Sequence, residues 1–91
     1  MTQNIKHVPA SHRFELSAAG TLAEVTYRID GEVMTILHTE VPEALAGRGI
    51  AGTLVRTALD HARANGMKVR PECTYAKSYM ERHPETMALH V

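Results

Sequence analysis

The apolar period of this chain changes from two residues to the helical 3.6 across one short stretch, Gly47-Arg48-Gly49-Ile50-Ala51-Gly52-Thr53. Before it, Ala23, Val25, Tyr27 and Ile29 alternate with Leu22, Glu24, Thr26 and Arg28. Val33, Thr35, Leu37, Thr39 and Val41 then alternate with Met34, Ile36, His38 and Glu40. After it, Leu54, Val55, Ala58, Leu59 and Ala62 follow helical spacing, with Arg56, Asp60 and Arg63 opposite. A strand-to-helix switch of this kind requires a sheet with a helix laid against it.

The flanking segments extend the pattern. Phe14 and Leu16 mark a strand over Arg13 to Ser17, and Ala19-Gly20 is a turn. Asp30-Gly31 predicts a type I′ hairpin, in which both central residues need positive φ. Pro42 ends the ladder, and Asn65-Gly66 closes the helix. Lys68 to Glu72 is a short strand that returns parallel to the one before the helix, giving a right-handed crossover. Pro71 makes regular central pairing on both of its sides improbable. Ala76, Tyr79, Met80 and His83 mark a second helix from Thr74 to Arg82, which Pro84 interrupts. The predicted fold is α+β: an antiparallel meander, a strand–helix–strand crossover and a short C-terminal helix. Residues 1–10 lack periodicity and are expected to form a loose arm, with 11–91 as a single domain.

Composition narrows the function classes. Formal net charge is zero and the basic residues never form a run, which disfavours nucleic acid and anionic membranes as partners. Cys73 is the only cysteine, so no internal disulfide forms. The N-terminal residues have no apolar stretch of signal-peptide type, and the expected location is cytoplasmic. The six histidines show no i,i+4 pair and no finger spacing, so no metal site is expected.

A glycine-rich turn that opens a helix leaves backbone N–H groups unpaired at the positive end of the peptide dipoles, a place suited to diphosphate. Gly47, Gly49 and Gly52 fit G-x-G-x-x-G, and Glu72 lies twenty residues after Gly52, as in a dinucleotide site. Against that, Glu43-Ala44-Leu45-Ala46 intervenes between strand and glycine, and the chain is too short for two mononucleotide-binding halves. A P-loop is excluded because Thr53 stands where its lysine would be. A ligand-free tight turn is the remaining alternative.

His38-Thr39-Glu40-Val41-Pro42, Leu45-Ala46-Gly47-Arg48-Gly49-Ile50-Ala51 and Leu54-Val55, with Pro71-Glu72-Cys73-Thr74-Tyr75 and His83-Pro84 downstream, resemble the small YjdJ-type members of the GNAT acetyltransferase superfamily. The resemblance runs from the second strand to the C-terminus. It implies a minimal GNAT-like fold that binds acetyl-CoA between two splayed parallel strands, here those ending near Val41 and Glu72. The family's coenzyme A motif, R/Q-x-x-G-x-G/A, falls on Ala46 to Ala51, with Ala46 in place of the usual Arg or Gln. Backbone donors from Gly47 through Ala51 then hold the pyrophosphate, Gly52 and Thr53 extend the first turn, and Arg48 supplies positive charge. Tyr75, which lies four residues from Tyr79, edges the pocket or packs at its rim.

Cys73 follows the last strand and precedes a helix, which puts its sulfur near a positive helix end. The resemblance places it beside the coenzyme thiol. One route is covalent, with Cys73 attacking the thioester and passing the acetyl group to an amine. The other is direct transfer, with His38 or Glu40 as the base or ordering a water that is. An inert packed cysteine and a hydrogen-bonded strand histidine are the structural alternatives. The predicted function is N-acetyl transfer from acetyl-CoA to an amine, and an open acceptor side suits a protein amine. A coenzyme A or acyl-CoA binding module with little turnover is the alternative, and a dinucleotide binder ranks far behind.

Overall fold

Alternation becomes strand pairing from Ile5 onward in the computed structural model, which describes residues 5–91. Strands β1 (Ile5–Val8), β2 (Arg13–Ala18), β3 (Thr21–Asp30) and β4 (Val33–Glu40) pair in sequence order as an antiparallel meander. Helix α1 (Ile50–Ala64) carries the chain to β5 (Lys68–Pro71), which runs parallel to β4, and α2 (Thr74–Arg82) follows. This is the expected α+β order. The four antiparallel strands of this five-stranded sheet leave no doubly wound halves for a dinucleotide.

The loose arm expected over residues 1–10 is corrected for its second half, and residues 1–4 lie outside the described residues. Ile5–Val8 pairs with β2 through Ile5↔Leu16 and His7↔Phe14. The anchor is aromatic, not periodic. The His7 ring stacks on Phe14 with centroids 4.2 Å apart, and His7 Nε2 shares a 2.6 Å hydrogen bond with the Tyr27 hydroxyl. Burial and the neighbouring His61 hold His7 below the ordinary imidazole pKa.

The hairpin turns also exchange roles. Ala19 and Gly20 both have positive φ (52° and 72°) between paired Ala18 and Thr21, which is the type I′ pattern. The loop between paired Asp30 and Val33 is Gly31-Glu32, and only Gly31 is positive (61°), as a type II′ turn requires.

α1 forms where the spacing predicts it. Leu54, Val55, Ala58, Leu59 and Ala62 are all buried against Phe14, Leu16, Val25, Tyr27, Met34 and Ile36 of the sheet. The helix ends in a Schellman cap, with Met67 N–H bonded to Ala62 O (2.8 Å) and Gly66 N–H to Arg63 O (3.2 Å). The polar face is not merely solvated. Arg56 donates to the Tyr79 hydroxyl (2.9 Å) and pairs with Glu85 (2.6 Å), while Arg63 reaches the Glu85 carbonyl (3.3 Å). These two arginines fasten the 3-10 segment Pro84–Leu89 to the helix.

One irregularity matters for the site. Tyr27 pairs with Ile36 and Thr26 with His38, so Leu37 is an extra residue on β4. A bulge of this kind inverts the alternation beyond it. Met34 and Ile36 face the core, but His38 and Glu40 lie opposite Thr26 and Glu24 on the other face and are exposed. Thr39 instead stands opposite buried Val25. The sequence expectation put Met34, Ile36, His38 and Glu40 on one face. Leu37 divides them.

Candidate functional site

The parallel pairing of β4 and β5 stops at Ile36↔Pro71. The Ile36 carbonyl then accepts two amides, from Glu72 and Cys73, each at 3.0 Å. Two donors converge on one acceptor because the chain is turning away into α2, whose N-cap is Cys73. β4 continues through Leu37–Glu40 with no strand on that side among the described residues, so the two strands splay. Among the described residues one side-chain hydrogen bond spans the opening: Thr39 Oγ1 lies 3.3 Å from Cys73 Sγ.

The mouth of α1 opens at the same end. After Pro42, the 3-10 turn Glu43–Leu45 buries Leu45 completely and fixes the approach to the glycines. Gly47 (φ 80°) and Gly49 (φ 73°) are left-handed, and Gly49 is the N-cap of α1. No side chain caps this end. The first intrahelical bond is Thr53 N–H to Gly49 O (3.1 Å), so the amides of Ile50, Ala51 and Gly52 have no acceptor within the helix. The Thr53 hydroxyl also bonds Gly49 O (3.0 Å), so it braces the turn from within. Gly52 serves a close approach: a Cβ there would stand 3.2 Å from the Tyr75 hydroxyl.

Three open cavities meet in this region. One of about 300 Å³ is lined by Val41, Leu45, Ala46, Gly47, Gly49, Ile50, Ala51 and Tyr75. A second, of about 340 Å³, is lined by Leu37, His38, Thr39, Glu72, Cys73, Thr74 and Tyr75. The third, about 370 Å³, lies against Thr39, Glu40, Val41 and Pro42. Shared walls join them: Tyr75 belongs to the first two, Val41 to the first and third, and Thr39 to the last two.

Of the residues singled out by sequence, Val41, Gly47, Gly49, Ile50, Ala51 and Tyr75 therefore come together at the helix mouth. Cys73 and His38 share the neighbouring cavity, while Glu40 lines the third and not theirs. Arg48 is exposed beside the mouth but lines none of these cavities. Thr39 and Leu45 were not anticipated. Leu45 could have been found as the one large apolar side chain between Pro42 and Gly49. Thr39 carried no local signal, because its partner is 34 residues away. Among the described residues no group of three or more His, Cys, Asp or Glu side chains could hold a metal ion. Among the same residues no helix is long and apolar enough to cross a membrane.

A splayed pair of parallel strands beside an uncapped helix mouth fits a ligand with a diphosphate at one end and an extended arm at the other. The free amides match the anion. The unpaired edge of β4 offers backbone donors and acceptors to an amide-bearing chain.

Comparison with known proteins agrees with this geometry. The family profile for GCN5-related N-acetyl-transferase matches residues 13–89. Protein NATD1 of Gallus gallus is 38% identical over 52 residues, which are 57% of this chain and 47% of that protein. The Homo sapiens protein of the same name is also 38% identical over 52 residues, 57% of this chain and 46% of that protein. The chain thus spans about half the length of these curated relatives. NATD1 of Danio rerio is 28% identical over 88 residues, 93% of this chain and 80% of that protein. The solution structure of a GCN5-like protein from Staphylococcus aureus superposes with a TM-score of 0.78 at 29% identity, covering 98% of this chain and 88% of the other. A family match from β2 through the C-terminal 3-10 segment, with a solved GCN5-like structure superposing over nearly the whole chain, makes this chain a member of the GCN5-related N-acetyltransferase family.

Proposed function

We propose that this domain binds acetyl-CoA and transfers its acetyl group to an amine. The observation that carries the proposal is the coincidence, at one end of the sheet, of the strand splay at Ile36 and the uncapped amides of Ile50, Ala51 and Gly52. The diphosphate meets those amides, and exposed Arg48 adds charge where Ala46 lacks the motif's usual Arg or Gln side chain. Tyr75 lines both the cavity at the helix mouth and the one that holds Cys73, and the coenzyme's arm runs past it. In the transfer, the amine nitrogen bonds to the thioester carbonyl carbon, the C–S bond breaks, and the coenzyme leaves as a thiolate that takes up a proton from solvent. The proton lost by the nitrogen goes to water or to His38, which lines the cavity that holds Cys73.

The test is calorimetric titration with acetyl-CoA, coenzyme A and NAD, followed by thiol release in the presence of small amines and lysine peptides. Binding of both coenzyme A forms but not NAD is expected, with amine-dependent thiol release. Absence of heat with acetyl-CoA overturns the proposal. Binding without thiol release leaves a coenzyme-holding module, which the alanine at position 46 favours. Intact mass of wild type and Cys73→Ser after exposure to acetyl-CoA separates the two routes. Turnover retained in Cys73→Ser rules out an obligatory acetyl-cysteine.

A further inference from the structure

We infer that Thr39 is the positioning residue that sets the Cys73 sulfur toward the bound thioester, an assignment that rests on the acetyl-CoA reading above. Three observations lead to it. First, the bulge at Leu37 reverses the alternation of β4, so the side chain that enters the splay is Thr39, while His38 and Glu40 are turned to the exposed face. Second, Thr39 Oγ1 lies 3.3 Å from Cys73 Sγ, and among the described residues this is the one side-chain hydrogen bond the sulfur makes. It joins the stretch of β4 beyond its pairing with β5 to Cys73, the second residue after β5. Third, Thr39 lines two of the three cavities, and the one it shares with Cys73 has Tyr75 as a common wall with the cavity at the helix mouth.

A hydroxyl suits this place chemically. It can accept from a thiol and, by rotating, donate to a sulfur that has lost its proton. When Cys73 attacks a thioester, the S–C bond to the acetyl carbon forms, the coenzyme's C–S bond breaks, and the coenzyme thiolate leaves and takes up a proton from solvent. As Cys73 enters that step it carries negative charge, and Thr39 donates to it. β-Branching fixes the hydroxyl, because χ1 of Thr on a strand has few alternatives. The sulfur is thereby held in one direction within the cavity that Thr39, Cys73 and Tyr75 line.

Thr39→Val keeps the shape and removes the hydroxyl, whereas Thr39→Ser keeps the hydroxyl. Two rates are measured at neutral pH: alkylation of Cys73 by iodoacetamide, which needs no coenzyme, and acetylation of Cys73 by acetyl-CoA, both read by intact mass. Calorimetric affinity for acetyl-CoA is measured alongside. The expected result for Thr39→Val is about tenfold slower alkylation and acetylation, the scale of one hydrogen bond to a charged group, with affinity within about twofold of wild type. Thr39→Ser recovers most of the rate. Should Thr39→Val melt, Thr39→Ala carries the same comparison. Rates unchanged or raised in Thr39→Val, or lost equally in Thr39→Ser, overturn the assignment. A wild type that binds no acetyl-CoA overturns the proposed function instead, and alkylation still decides the role of Thr39.

Discussion

Replacing Gly49 with alanine isolates the backbone requirement at the helix mouth. Gly49 is the N-cap of α1 at φ 73°, and a Cβ built there meets nothing within 4 Å. Steric crowding therefore contributes nothing, and the cost is that of holding an L-residue in the left-handed region, about 1–2 kcal/mol. Alanine recovers part of this by restricting the unfolded chain, by about 0.4–1 kcal/mol. The net loss is about 1 kcal/mol, or roughly 4–8 °C in melting temperature for a domain of this size. The Gly49 carbonyl receives both the amide and the hydroxyl of Thr53, so a relaxed φ would loosen the whole first turn. Gly49→Asn should lose less, since asparagine visits this conformation more readily. Thermal melts and acetyl-CoA titration on wild type and both variants give the comparison, with affinity falling further in Gly49→Ala than in Gly49→Asn. A Gly49→Ala protein as stable and as tight-binding as wild type would refute the claim that left-handed backbone organises the amides.

Gly52→Ala gains about 1 kcal/mol of helix propensity, yet its Cβ would press to 3.2 Å from the Tyr75 hydroxyl. Stability near wild type with displaced Tyr75 ring signals in NMR is expected, and an undisturbed Tyr75 would show the close approach to be wrong. Ala19→Asn relieves a non-glycine residue at φ 52° in the I′ turn and should raise stability by about 1 kcal/mol, read from urea midpoints; a lowered midpoint would contradict the turn type. His7, whose pKa is lowered by burial and by His61, binds its proton more readily in the unfolded chain. Its contribution to stability is therefore present above the ordinary imidazole value and lost as pH falls below it. Melting temperature should drop between pH 7.5 and 5.5 in wild type and drop less in His7→Asn, and equal drops would place the effect elsewhere.

Most of the scaffold could be read from residue order because its signals are local. The buried stripe of α1 is the one its spacing marks, and β3 places Ala23, Val25 and Tyr27 inward as alternation requires, with Ile29 exposed only near the hairpin end. β1 escaped because Lys6 and His7 give it no apolar period. Its pairing depends on a ring stacked on Phe14 from the neighbouring strand. The bulge escaped for a different reason. Leu37 is apolar and unremarkable, so both registers of β4 satisfy the pattern until β3 selects one. The helix mouth was legible, since glycines before an amphipathic run announce positive φ and free amides. The pairing of Thr39 with Cys73 was not, because it exists only after two distant segments have converged.

The part of β4 beyond Ile36 is an internal sheet margin that, on the side away from β3, faces no neighbouring strand among the described residues, and such margins can recruit foreign strands and seed growth from one molecule to the next. This one is short, bears the polar side chains of His38 and Glu40, and runs straight into Pro42, which has no N–H to offer a newcomer. The feature that leaves room for an extended ligand is thus bounded by residues that discourage the protein from becoming its own ligand.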